Sequence, residues 1–237
     1  MTDLNALKQA NARRWANAKI TRVSFGGLAK HLVDPGAKAR YQAVSAKTGV
    51  PWPFIAVAHE RECSQDWTGS LAQGDPWNRV SVHVPVGRGP FRSWEEGAID
   101  ALANCAPYAA RNKDWSIEGM LTKLEEYNGL GYAARGKPSP YVWSGTDQYK
   151  SGKYVRDGVY DPDAIDSQPG CAGLLMEMMA LDPTISFKSV RPPNSAPGLP
   201  PRPAVIPPAP APSITHPSKG SVGAFIATIL STIFRRN

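Results

Sequence analysis

The chain has 237 residues, 42% of them hydrophobic and 20% charged, the balance of an ordinary globular protein with room for one medium domain and appendages. Its formal net charge of +7 favours an anionic partner: nucleic acid, acidic lipid or a cell-wall polymer. No run of five or more Lys/Arg residues occurs, which argues against a nucleic-acid tail, and no nucleic-acid partner is expected.

Taken in order, the polar stretch from Met1 to Ile20 has no apolar segment of the kind a signal peptide carries, so synthesis in the cytoplasm without one is the expectation. Leu4 to Ala18 reads as a helix, and Gly36 to Thr48 as another, closed by Gly49. Pro51 and Pro53 punctuate the chain before a third helix, Phe54 to Glu62, with Pro53 suited to its first turn. From Ser64 to Phe91, repeated Gly and Pro break any helix. Val80, Val82 and Val84 alternate with Ser81 and His83, which predicts a small β-hairpin or irregular lobe. Ser93 and Glu96 form a capping-box pattern ahead of Ile99, Leu102 and Cys105. Ile117, Met120, Leu121 and Leu124 recur at helical spacing until Asn128-Gly129. Residues 132–161 read as a long ordered loop, and Cys171 to Leu181 as a last, very apolar helix. The fold class is α+β, mainly α.

Composition shifts near Val190. Between Arg191 and Lys219 lie 11 of the 23 prolines, so 1–190 is expected to be the domain and 191–219 an extended, polyproline-like linker. In the tail, 220–237, Phe225, Ile226, Ile229, Leu230, Ile233 and Phe234 share one stripe, followed by Arg235-Arg236. The apolar stretch from Val222 to Phe234 is shorter than the roughly 20 residues a membrane span needs. Two readings stay open: a helix lying on an anionic membrane surface, or one docked on the domain or on another copy.

The stretch that carries chemistry is 54–67. With Ile55 as a core position, helical spacing puts Ala58, His59 and Glu62 on the same face. A carboxyl in that apolar setting has its pKa raised, as a general acid near neutral pH requires. Glu60, two residues off, is expected to face solvent or a basic neighbour. Asp75, in a turn of the adjacent lobe, supplies a second carboxylate, and a helix-borne Glu with a nearby Asp is the pair a glycosidase uses; a plain turn residue before proline reads the same way. Tyr127 and Asn128, ending an apolar helix, can project into a cleft, although Asn-Gly also suits a helix C-cap. Trp67, Trp77, Tyr132, Tyr141, Trp143 and Tyr154 fall in loops, where rings stack on sugar faces or anchor the loops. His59 is a candidate contact on the same face, or a core histidine. Cys63, Cys105 and Cys171 contain no Cys-x-x-Cys pair, so neither metal nor other cofactor is expected; whether Cys105 and Cys171 are bridged stays open.

These residues resemble the bacterial and phage lysozyme-like proteins related to goose-type lysozyme and soluble lytic transglycosylases. In that group the catalytic Glu ends a helix in a Glu-Ser pair, here Glu62-Cys63, and a Tyr-Asn-x-Gly motif lines the cleft, here the shifted Tyr127-Asn128-Gly129-Leu130-Gly131. A nearer pattern, His-x-Arg-Glu-Ser, Asn-Gly-Asp-Pro and Ser-Pro-Tyr-x-Trp-Ser-Gly-Thr, reads here as His59 to Cys63, Gln73 to Pro76 and Ser139 to Thr146, over residues 50–182. The resemblance implies a lysozyme-like helical domain acting on peptidoglycan glycan strands at the cell wall, of endolysin or prophage type. It implies Glu62 as acid, Asp75 as assisting carboxylate, and His59, Trp77, Tyr127, Asn128, Tyr141 and Trp143 as substrate contacts. A lytic transglycosylase on the same fold, and a non-catalytic wall- or membrane-binding protein acting through its tail, are the alternatives. The Ser-to-Cys departure bears on hydrogen bonding near Glu62, because a thiol is a poor donor.

Overall fold

The computed structural model describes residues 2–187. The linker and tail expectations for 191–219 and 220–237 therefore lie outside the described residues. The architecture is mainly helical: α1 (Leu4–Asn17), α2 (Phe25–Leu32), α3 (Pro35–Thr48), α4 (Trp52–Cys63), α5 (Trp94–Asn104), α6 (Ile117–Asn128), the short α7 (Gly131–Ala134) and α8 (Pro140–Trp143), strands β1 (Lys153–Arg156) and β2 (Val159–Asp161), and α9 (Cys171–Leu181). Among the described residues no helix is long and apolar enough to cross a membrane.

Local chemistry sets the helix ends. The Asp3 carboxylate caps α1 and the Asp34 carboxylate caps α3, each accepting two backbone N–H bonds. The Ser93 hydroxyl caps α5 by accepting from Glu96 N. The reciprocal half of the expected capping box is displaced by one residue: the Glu96 carboxylate accepts from Arg92 N, not from Ser93.

Helix α4 is the centre of the molecule. Every residue from Pro53 to Arg61 is buried, and Phe54 through Ala58 are fully so. A helix buried all round has no solvent face, which removes the solvent-facing alternative for Glu60: it is 6% exposed, held by the Gln65 amide at 2.7 Å, and under the charges of Arg61 and His31. Complete burial of side chains such as Phe54 or Ile55 stabilises by about 1.5–3 kcal/mol each.

No helix is expected from the sequence at 25–32, where α2 runs. It forms because Phe25, Ala29 and Leu32 pack on α9 and are fully buried. The seat for Phe25 is made of glycine: a Cβ at Gly173 would stand 2.5 Å from the Phe25 ring, and one at Gly145 2.6 Å.

The lobe after α4 carries no strand at 80–84; its single bridge joins Gly69 to Pro76. The segment curls because the Asp75 carboxylate takes the N–H groups of Val82 and His83 and the Ser81 hydroxyl donates to Pro85 O. Val80, Val82, Val84 and Val86 point outward and are exposed. Of the two forms expected, the lobe is the irregular one. The small sheet lies instead within 132–161, where β1 and β2 pair antiparallel, Tyr154 opposite Tyr160. All three cysteines are free thiols, so Cys105 and Cys171 are not bridged.

Candidate active site

Glu62 sits in the last turn of α4 and is half-buried. The helix ends there because Ser64 and Gln65 both adopt left-handed backbone conformations, φ 50° and 62°, and their N–H groups return to Glu60 O and His59 O. Left-handed geometry at two consecutive non-glycine residues costs about 1–2 kcal/mol each. The reversal folds the lobe back on the helix. Gly74, also at positive φ, lies so near that a Cβ there would stand 3.0 Å from Glu62 O.

The side chain of Glu62 meets α8: the Tyr141 hydroxyl donates to Glu62 Oε1 at 2.8 Å. Burial pushes the carboxyl up to about 7, against the opposing pull of the Tyr141 hydrogen bond and the Arg61 charge. Tyr127 from α6 lies in the same surroundings; Glu62 is among the charges that keep its phenol protonated, after burial itself.

Behind Glu62 is a buried ion network. Arg61 Nη2 donates to Asp166 Oδ2 at 2.9 Å and Nη1 to Pro169 O at 3.2 Å. Its guanidinium carbon stands 4.8 Å from the centre of the Tyr141 ring. Lys153 Nζ donates to the other Asp166 oxygen at 2.9 Å, and the Asp166 main chain bonds Tyr149, Ser144 and Arg22. Burial opposes the ionisation of Asp166, but the charges and hydrogen bonds of Arg61 and Lys153 together prevail and hold its carboxyl below the usual carboxylate range.

No family model matches the chain, and neither a curated protein nor a solved structure matches it.

The other residues singled out from sequence separate clearly. Tyr141 touches Glu62. Tyr127 is 8% exposed, and its hydroxyl donates to Leu71 O at 2.9 Å, tying α6 to the lobe instead of projecting into a cleft. Asn128 is half-buried at the end of α6. Trp77 spends its indole N–H on Trp67 O at 2.8 Å. Trp143 is corrected from substrate contact to core: it is fully buried, and its N–H donates to Asn11 Oδ1 at 3.3 Å. His59 is corrected likewise. It is fully buried between Trp67 and Trp94, with Nδ1 bonded to the Tyr41 hydroxyl and Nε2 to Asp66 O. Burial lowers its pKa to about 4, so it is a neutral core histidine. Cys63 donates its thiol to Ser70 O at 3.8 Å.

Asp75 lies in the lobe, but its carboxylate is already engaged. Oδ2 accepts from Val82 N and His83 N at 2.8 and 2.9 Å, and Oδ1 is 2.6 Å from His83 Nδ1. Burial opposes its ionisation, but these bonds prevail and hold the carboxyl below its usual range.

Three features carry no signal in the sequence: a buried ion pair, a buried carboxyl and a groove. Arg61 and Asp166 are 105 residues apart, and nothing in either local pattern signals the pair. Glu125, 1% exposed, is pushed up to about 7 by burial, offset in part by the Arg14 charge. An open groove of about 730 Å³ is lined by Leu28, Lys30, His31, Arg40, Gln65 and Trp67 among others; Gln65 holds Glu60, and Glu62 is not among its walls. Among the described residues no group of three or more His, Cys, Asp and Glu side chains is placed to hold a metal ion.

Proposed function

We propose that the chain is a peptidoglycan-cleaving glycosidase of the muramidase type, with Glu62 as its general acid. One observation carries the reading: a helix-end carboxyl, half-buried, raised to about 7 and oriented by a phenol at 2.8 Å. Such a group keeps its proton into the neutral range and can deliver it to a leaving glycosidic oxygen. The Tyr141 bond occupies Oε1 and leaves Oε2 to carry the transferable proton. The motif resemblance supplies the substrate, the β-1,4 bond between N-acetylmuramic acid and N-acetylglucosamine, and the charge of +7 suits an anionic wall.

In the hydrolytic mode Asp75 positions water or stabilises the oxocarbenium-like state. A second mode is favoured by the three bonds that Asp75 already makes. In lytic transglycosylation Glu62 acts as acid and then as base, the muramyl 6-hydroxyl attacks in place of water, and no second carboxylate is required.

Digestion of purified peptidoglycan by wild type, Glu62→Gln and Asp75→Asn, followed by mass spectrometry, tests both. Glu62→Gln should lose at least about a hundredfold in cleavage, the usual worth of a general acid. Activity within a few fold of wild type overturns the assignment. Reducing muramic ends that depend on Asp75 support hydrolysis, and 1,6-anhydro ends that persist in Asp75→Asn support transglycosylation.

A further inference from the structure

The buried cation beside Glu62 poses a problem that the fold solves. Arg61 precedes Glu62 on α4, and its side chain is only 4% exposed. A guanidinium loose in those surroundings would pair with the nearest carboxylate, and a Glu paired with Arg loses its proton well below neutrality. Instead Arg61 is anchored from the loop before α9: Asp166 accepts at 2.9 Å and Pro169 O at 3.2 Å. The anchor is itself fixed, since Lys153 holds its second oxygen.

We propose that Asp166 is a positioning residue for the Glu62 site: by pinning and neutralising Arg61 it keeps the guanidinium off the Glu62 carboxyl and leaves the Tyr141 hydroxyl as that carboxyl's donor. This rests on the acid role assigned to Glu62. The groups that bear on Glu62 are Arg61 and Cys63 from α4, Tyr127 from α6, Tyr141 from α8 and Cys171 from α9. The three protonated hydroxyl and thiol partners from other helices carry no charge at neutral pH, so Arg61 is the charged group among them, and its compensation acts on the Glu62 proton beside burial and the Tyr141 bond. Asp166 never touches the reacting atoms in this scheme. It acts through Arg61, and through the ring of Tyr141 that Arg61 covers.

The test titrates Glu62 directly in the full chain, by carbon NMR of labelled glutamate carboxyls assigned with Glu62→Gln. Asp166→Asn leaves Arg61 uncompensated, and the Glu62 midpoint should fall by about one pH unit, a tenfold change in the protonated-to-ionised ratio. In the double variant Arg61→Gln with Asp166→Asn, the cation is gone and the fall should disappear. An unchanged midpoint in Asp166→Asn, or a fall that persists in the double variant, overturns the proposal. A readout on the wild type guards against a variant that fails to fold. The Arg61 guanidinium nitrogen resonances should stay in place as Glu62 ionises, because Arg61 remains with Asp166; a jump marking transfer to Glu62 overturns the proposal equally. These titrations need no substrate. If they behave as expected while Glu62→Gln still cleaves peptidoglycan, the acid role falls and the electrostatic positioning stands. If Glu62→Gln abolishes cleavage while the midpoint ignores Asp166, only the positioning falls.

Discussion

Cys63 and Gly69 meet closely enough that a Cβ on the glycine would stand 2.8 Å from the Cys63 Cβ and 3.2 Å from its sulfur. This contact seats the lobe on the end of α4, one residue beyond Glu62. Gly69→Ala should therefore force the lobe outward and destabilise the protein by about 1–3 kcal/mol, the usual cost of overpacking. Urea unfolding reads this directly. A variant as stable as wild type would show that the lobe is free to move off the helix.

The two carboxyls of α4, Glu60 buried and Glu62 half-buried, differ in partner, and this ranks them. Glu60 is held by the Gln65 amide and Glu62 by the Tyr141 phenol. Glu60→Gln should retain wall cleavage within a few fold, while Glu62→Gln abolishes it. The opposite ranking transfers the acid role to Glu60 and to the groove that Gln65 lines.

Tyr141→Phe removes a hydrogen bond that favours the ionised form of Glu62. The folded-state pKa should then rise above about 7, and the alkaline limb of the pH–rate profile should move to higher pH. Turnover should fall by about tenfold or more, since the acid loses its orientation. A limb that moves to lower pH contradicts the donor role of Tyr141.

Glu125 gives a pH dependence of stability with a definite sign. Its folded value of about 7 lies above the ordinary 4.5, so the native state binds the proton more tightly than the unfolded chain. The stability it contributes is complete below pH 4.5 and is lost as pH rises through about 7, up to about 3.5 kcal/mol at 1.4 kcal/mol per unit. Glu125→Gln mimics the protonated acid. Unfolding curves across that window should show wild type losing stability relative to the variant as pH rises; a constant difference refutes it. His59, lowered to about 4, works in the opposite direction but is common to both proteins and cancels.

Helices with strong end signals and long apolar runs were legible in the sequence: α1, α3, α4, α6 and α9 begin and end within a few residues of expectation. Helix α2 was not, because its glycines oppose it locally and only tertiary burial against α9 supports it. The Val80–Val84 alternation misled because a single carboxylate, Asp75, bends that segment by taking two of its N–H groups. At the site, Glu62 was legible as a carboxyl on an apolar helix, and Tyr141 through its motif. His59 shares that face in the sequence pattern, but spacing does not distinguish a ring in the core from a ring at a ligand. Asp166 was invisible, since its meaning lies entirely in a partner 105 residues earlier.

The glycine-lined seat of Phe25 also governs the order in which the chain can mature. Phe25 is threaded early, but Gly145 and Gly173, which receive it, arrive late. A nascent chain that has not yet reached α9 must carry the apolar side of α2 uncovered, open to chaperones and to aggregation. Truncation inside 171–181 would recreate that immature state permanently, and the damage would surface at the opposite end of the polypeptide, in α2.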